Sequence, residues 1–146
     1  MTQKLQYLIL EDKSMIIVYC KGKVFIDEVI EFKKKMGNDK NYSPNFNVIY
    51  DFRELEFLFE LEELSRYVEF ISNNKKYIGN RKSAVITNSP NQVVIGIGFD
   101  ILKNKLPIEV QVCSTVETAF SFLGLPIKDW EFIESLICEL RNTQEH

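Results

Sequence analysis

The chain opens with two apolar runs, Leu5 to Leu10 and Ser14 to Cys20, separated by the polar triplet Glu11-Asp12-Lys13. Met15-Ile16-Ile17-Val18-Tyr19 suits a pleated, half-buried surface, so the pair predicts a β-hairpin whose second strand is broken by Gly22. From Ile26 the apolar spacing changes to Val29, Ile30, Phe32, Lys33 and Met36, a helical rhythm. Asp27 and Glu28 near its start and Lys33-Lys34-Lys35 near its end complement the helix dipole. The lysine run reads as a solvated helix end ahead of a phosphate-binding role. A loop through Asn38 to Asn45, closed by Ser43-Pro44, leads to a strand from Phe46 to Phe52.

Leu61, Leu64, Val68 and Ile71 then recur at three, four and three residues, which predicts an amphipathic helix ended by Gly79. Ser83 to Thr87 is a short buried strand centred on Ala84-Val85-Ile86. Asn88-Ser89-Pro90 is a helix start, a capping side chain followed by proline. The segment Val93 to Phe99 contains Gly96 and Gly98, each of which weakens a helix by about 1 kcal/mol. Helix is still the better reading than strand, because Ser-Pro starts it and Asp100-Ile101-Leu102-Lys103-Asn104 finishes it. Ile108 to Cys113 is the last strand. Ser114-Thr115-Val116-Glu117 predicts a capping box, Gly124 ends the helix that follows, and Ile133, Leu136, Ile137 and Leu140 define a final helix.

The resulting order is β-β-α-β-α-β-α-β-α-α, an α/β chain with a mixed, mostly parallel sheet of about five strands behind an N-terminal hairpin. At 146 residues it has the size of one domain. A formal net charge of -3 and scattered basic residues disfavour a nucleic-acid partner. Cys20, Cys113 and Cys138 are far apart, odd in number and set in apolar stretches, so they read as reduced, packed thiols. The only histidine is His146, so neither a histidine-based triad nor a clustered metal site is expected, and no cofactor is called for. No run approaches the ~20 apolar residues of a membrane span, and no long apolar core marks the N-terminus as a signal peptide. A cytoplasmic protein is expected.

Two segments carry a family resemblance: Val48-Ile49-Tyr50-Asp51 with Arg53, and the run from Val112 to Gly124. With the element order they resemble the STAS domain, the fold of bacterial anti-sigma-factor antagonists and of the cytoplasmic tails of sulfate transporters. The chain is most similar to small stand-alone bacterial relatives of uncharacterised role. The resemblance covers most of residues 5 to 124. It implies a STAS-like domain over 1–125 and an appended C-terminal helix over 126–146. That helix would pack on the same domain or at a dimer interface through Trp130, Ile133, Leu136, Ile137 and Leu140. In the phosphorylation-controlled antagonists the matching strand leads to a loop presenting a serine at a helix start. Here that region is Leu58-Phe59-Glu60-Leu61-Glu62, with no Ser or Thr between Arg53 and Leu64. The usual switch is therefore expected to be missing.

Four positions form the candidate interaction site: Asp51, Arg53, Glu60 and Asn88. Asp51 and Arg53 would stand at the carboxyl edge of the strands, where open α/β sheets place binding crevices. The plainer reading, a turn-forming aspartate and a solvated arginine, weighs more. Asn88 would share that edge, with capping as its plainer role. Glu60, read as lying in the first turn of a helix, is stabilised there by the dipole, and it could hold a fixed charge where relatives carry a phosphate. Cys113 before a helix start is a weak nucleophile candidate.

The leading expectation is a non-enzymatic regulatory module of STAS-like type, binding an unidentified regulatory protein and with a possible homodimer. The alternative is a binder of a small apolar or lipid-like ligand, using the 11 phenylalanines, Phe57-Leu58-Phe59 and the glycine-containing helix. An enzyme is the weakest of the three readings.

Overall fold

The computed structural model describes residues 4 to 143, so His146 lies outside the described residues. Strand β1 (Leu5–Leu10) turns through a short 3-10 segment into β2 (Met15–Val24), and the two pair antiparallel from Leu5↔Cys20 to Leu10↔Met15. Gly22 does not end β2. It takes a positive φ of 87° just after a register shift between Tyr19 and Lys21, and the strand runs on to Val24. A left-handed conformation open to glycine lets the strand bulge there without terminating.

Helix α1 (Ile26–Gly37) leads to β3 (Asn47–Phe57), α2 (Leu61–Ser72) to β4 (Arg81–Ile86), and α3 (Pro90–Leu102) to β5 (Ile108–Cys113). β3 is therefore longer than its apolar run, continuing beyond Phe52 along the lengthened β2 from Lys21↔Glu54 to Val24↔Phe57. α2 stops at Ser72, well before Gly79, and a 3-10 turn at Lys75–Tyr77 fills the gap. The ambiguous segment 93–99 is helical, within α3. The start of α4 (Val116–Leu123) is shifted by one residue from the predicted box: Thr115 is the N-cap, and its hydroxyl accepts from the Thr118 N–H at 3.2 Å. Gly124 ends α4 and α5 (Ile127–Thr143) completes the chain.

The sheet order is β1-β2-β3-β4-β5, with β2 to β5 parallel. That sequential order has a consequence. Right-handed crossovers between successive neighbours place every connecting helix on one side. α1, α2 and α3 indeed share one face, over Ile16, Val18, Cys20 and Val48. The opposite face carries Met15, Ile17, Ile49, Ala84 and Ile86 and would be bare without α4 and α5. Ile133 and Ile137 of α5, at 0% and 1% exposure, seal it. The appended helix thus packs on the sheet of its own chain. Trp130 lies against Phe120 and donates its indole N–H to the Leu125 carbonyl at 2.9 Å, while Leu136 and Leu140 pack on the same cluster. No helix among the described residues is long and apolar enough to cross a membrane.

Candidate functional site

Strand alternation sends Ile49, Asp51 and Arg53 towards the α5 face and Val48, Tyr50 and Phe52 towards α1–α3. Asp51 pairs in register with Tyr19 and Ile86, the last β3–β4 pair, and is fully buried. It is neither a turn residue nor exposed at a strand end, because β3 continues beyond it. A buried carboxylate needs partners, and Asp51 has them. The Arg53 guanidinium donates from Nε at 2.9 Å and from Nη2 at 3.0 Å, and the Arg53 backbone N–H adds a third bond at 3.2 Å. Arg141, from the last turns of α5, donates to the same carboxylate at 3.3 Å and pairs with Glu54 at 2.9 Å. The Asp51 carboxylate in turn raises the pKa of the Arg53 guanidinium. The Tyr19 hydroxyl is buried beside Glu54 and Arg141, and burial, aided by Glu54, pushes its pKa up.

Arg53 is therefore held rather than solvated, and the cluster ties β3 to α5. Arg141, Glu54 and Tyr19 were not singled out from the sequence. The signal for Arg141 was available: it stands four residues after Ile137, on the buried stripe of the helix.

The other two candidates lie elsewhere. Glu60 is the N-cap residue of α2, just outside the first turn, and its side chain makes no capping bond. Its carbonyl accepts from Glu63 and Leu64, and its carboxylate is exposed next to those of Glu62 and Glu63. Asn88 is exposed after β4, and its backbone N–H donates to Gln92 Oε1 at 2.7 Å. Neither touches the Asp51 cluster. Between them, α3 closes the free edge of the β3 extension. Asn91 exchanges two hydrogen bonds with the Phe57 backbone, at 2.8 and 3.0 Å, and Gln92 Nε2 donates to the Leu55 carbonyl at 2.8 Å. Side-chain amides here stand in for the missing strand.

Beside that edge α3 presents Val94, Ile97 and Ile101 at 53%, 47% and 72% exposure. They share a helix face with Gly98, and Leu61, itself 45% exposed, lies directly against Gly98. A Cβ on Gly98 would meet the Leu61 methyl, so glycine is what lets the start of α2 lie flat on α3. The result is an apolar stripe flanked by Glu60, Glu62, Glu63 and Asp100.

On the inner side of α1–α3 an apolar cavity of ≈ 100 Å³ includes Phe57, Phe59, Ile95 and Phe99 in its wall. Lys33 also lines it, at 3% exposure, so the lysine run is split: Lys34 and Lys35 are exposed and Lys33 is in the core. Cys113 is buried and burial pushes its thiol pKa up, the reverse of activation by a helix start. Cys20 is buried as well, whereas Cys138 is exposed rather than packed. The described residues contain no group of three or more side chains able to hold a metal ion.

No family model matches the chain, and no curated protein does. It is similar to the crystal structure of an uncharacterised protein of the DUF3478 family, with a SpoIIAA-like fold, from Shewanella loihica PV-4. Identity is 13%, the TM-score is 0.51, and the match covers 82% of this chain and 91% of that one. The chain has a SpoIIAA-like fold. This is the STAS-type architecture expected from its element order, with a mixed five-stranded sheet and five α-helices.

Proposed function

We propose that the protein is a non-enzymatic regulatory module that docks a partner protein through the outer face of α3 and the start of α2. The observation that carries this reading is the exposed stripe of Leu61, Val94, Ile97 and Ile101. Four large apolar side chains on adjoining helices are more than the scattered exposure of an ordinary surface. Their acidic flank, Glu60, Glu62, Glu63 and Asp100, fits a partner with an apolar centre and a basic rim.

The switch implied by the resemblance finds no hydroxyl at its place. Ser65, the nearest, bonds back to the Glu62 carbonyl inside α2. Glu60 supplies instead a constant negative charge at the edge of the stripe. In this reading Asp51 and Arg53 act from within, by anchoring β3 to α5, while Asn88 is held at the turn into α3 by its backbone N–H bond to Gln92 and Ser89 takes the N-cap position. A homodimer through α5 has few anchors left, since its apolar stripe lies on its own sheet and only Ile127 and Phe132 stand well exposed.

The test is site-specific photo-crosslinking from position 97 in cells expressing the protein at its normal level. One predominant adduct is expected, lost in Ile101→Lys, weakened in Glu60→Lys and kept in the control Ile127→Lys. Adducts spread over many proteins, or insensitive to Ile101→Lys, would remove the surface from consideration.

A further inference from the structure

Lys33 and Arg81 are buried cations, at 3% and 5% exposure, and both line the cavity beneath α1 and α2. Their surroundings contain no negative charge. None of the residues lining the cavity is Asp or Glu, and no carboxylate among the described residues lies within ion-pair distance of either cation. Burying one charge without a partner is unfavourable, and two like charges side by side are more so.

Arg81 is partly satisfied. Its Nε donates to the Pro44 carbonyl at 2.8 Å and Nη2 to the Ser43 carbonyl at 2.7 Å. Lys33 makes no hydrogen bond with a described residue. Its ammonium sits over the rings of Tyr42 at 5.5 Å and Tyr77 at 5.6 Å, and the Arg81 guanidinium lies over Tyr42 at 5.4 Å. Ring faces attract cations but do not neutralise them. The Tyr42 hydroxyl is buried in the same cluster and has no hydrogen-bond partner either.

Among the nearby groups that could ionise to anions, Tyr42, Tyr50, Tyr67 and Cys20 are driven towards their neutral forms. Burial pushes Tyr50 up to about 12 and raises Tyr42, Tyr67 and Cys20 as well. For Lys33, burial and then the neighbouring Arg81 lower the pKa well below its usual value. Two buried cations in the wall of one cavity, with no anion beside them, call for an anionic ligand.

We propose that this end of the cavity binds a small monocarboxylic acid, its carboxylate received by Lys33 and Arg81 and its apolar body lying among the phenylalanines of the wall. Arg81 and Lys33 supply the charge and the N–H donors that carboxylates accept. The rest of the wall is apolar, with Phe52, Phe57, Phe59 and Phe99 in it, and selects against a hydrated inorganic anion. A volume of ≈ 100 Å³ admits a body on the order of a single ring or a short branched chain, judged against apolar cavities that hold benzene. This site lies beneath the helices whose outer face forms the stripe, and it stands or falls separately from the docking of a partner.

The full chain is titrated with benzoate, benzyl alcohol and inorganic phosphate, following backbone amide resonances. Benzoate is expected to bind at least about tenfold more tightly than benzyl alcohol, with phosphate showing no effect on the cavity residues. In Lys33→Met the two aromatic probes should bind within about twofold of each other. A second readout needs no variant: in protein carrying 13C-labelled lysine, benzoate should shift the Lys33 side-chain signal and leave Lys34 and Lys35 in place. Equal binding of acid and alcohol to the native chain, phosphate acting like benzoate, shifts spread over surface lysines, or no binding at millimolar benzoate would each overturn the proposal.

Discussion

On one face of the sheet, Asp51 lies under α5 with Arg53 and Arg141 both on its carboxylate and Glu54 completing the arrangement. On the other, Lys33 and Arg81 lie under α1 and α2 among tyrosine rings, with no acid beside them. Both faces bury charge, yet only the first neutralises it. A paired cluster acts as a fastening, because removing its central carboxylate leaves other charges stranded. An unpaired cluster weakens the fold, and evolution keeps such a weakness where function uses it. The difference separates two kinds of polar residue in one small protein, those that hold α5 to the sheet and those whose buried charge has no acid beside it.

Substitutions should therefore change stability in opposite directions on the two faces. The largest effect belongs to Asp51→Ala, which strands two arginines and should cost about 3 kcal/mol in urea unfolding. A loss below about 1 kcal/mol would mean that the cluster fastens nothing. Lys33→Met should act the other way, gaining about 1–2 kcal/mol by replacing a buried charge with an apolar side chain of similar length. The gain should depend on pH. Lys33 is held below its usual 10.5 when folded, by burial and Arg81. Between the two values the unfolded chain binds the proton more, so the native protein recovers stability as pH rises towards 10.5. Comparing the two proteins isolates Lys33 from the tyrosines Tyr42, Tyr50, Tyr67 and Tyr77 around it. A difference that stays flat with pH would show that Lys33 keeps its ordinary proton affinity in the fold.

Arg141→Met should cost about 1 kcal/mol, since Asp51 keeps Arg53 and Arg141 is itself partly exposed. In a double-mutant cycle with Asp51→Ala the two losses should not add. Additive losses would place Arg141 outside the cluster. The smallest change is Tyr42→Phe, expected to leave stability unchanged or raise it by about 0.5 kcal/mol, because its hydroxyl has no partner to lose. A clear loss in thermal unfolding would show that the hydroxyl is already satisfied and would blur the contrast between the faces.

Much of the architecture was legible because the pattern of apolar residues changes period where the elements change. Continuous apolar runs mark β1 and β2, and spacings of three and four mark α1, α2 and α5. The errors fall where a neighbour outweighs the local signal. Gly22 looked like a strand end because glycine weakens strands, but pairing with β3 carries β2 through it. The strand was expected to end at Phe52, and it continues through Glu54-Leu55-Glu56 because that same pairing and the amides of Asn91 and Gln92 satisfy its backbone. Ser114 looked like a cap, and the chain turns one residue later so that Thr115 takes the position.

The site was less legible, for a different physical reason. Asp51 and Arg53 stood out as an acid and a base ending an apolar run, and the two do meet. Only the folded chain brings in Arg141, 90 residues further on. Lys33 was hidden by its neighbours, since three consecutive lysines suggest solvent. Its spacing from Ile26, Val29 and Met36 already placed it on the buried stripe of α1. Sequence alone determined the order of strands and helices, the absence of a serine ahead of α2 and the fold that the order implies, because these depend on local periodicity and residue identity. Tertiary structure decided which charges are paired and which are not, because whether a buried charge is neutralised depends on residues that only folding brings within a few ångströms.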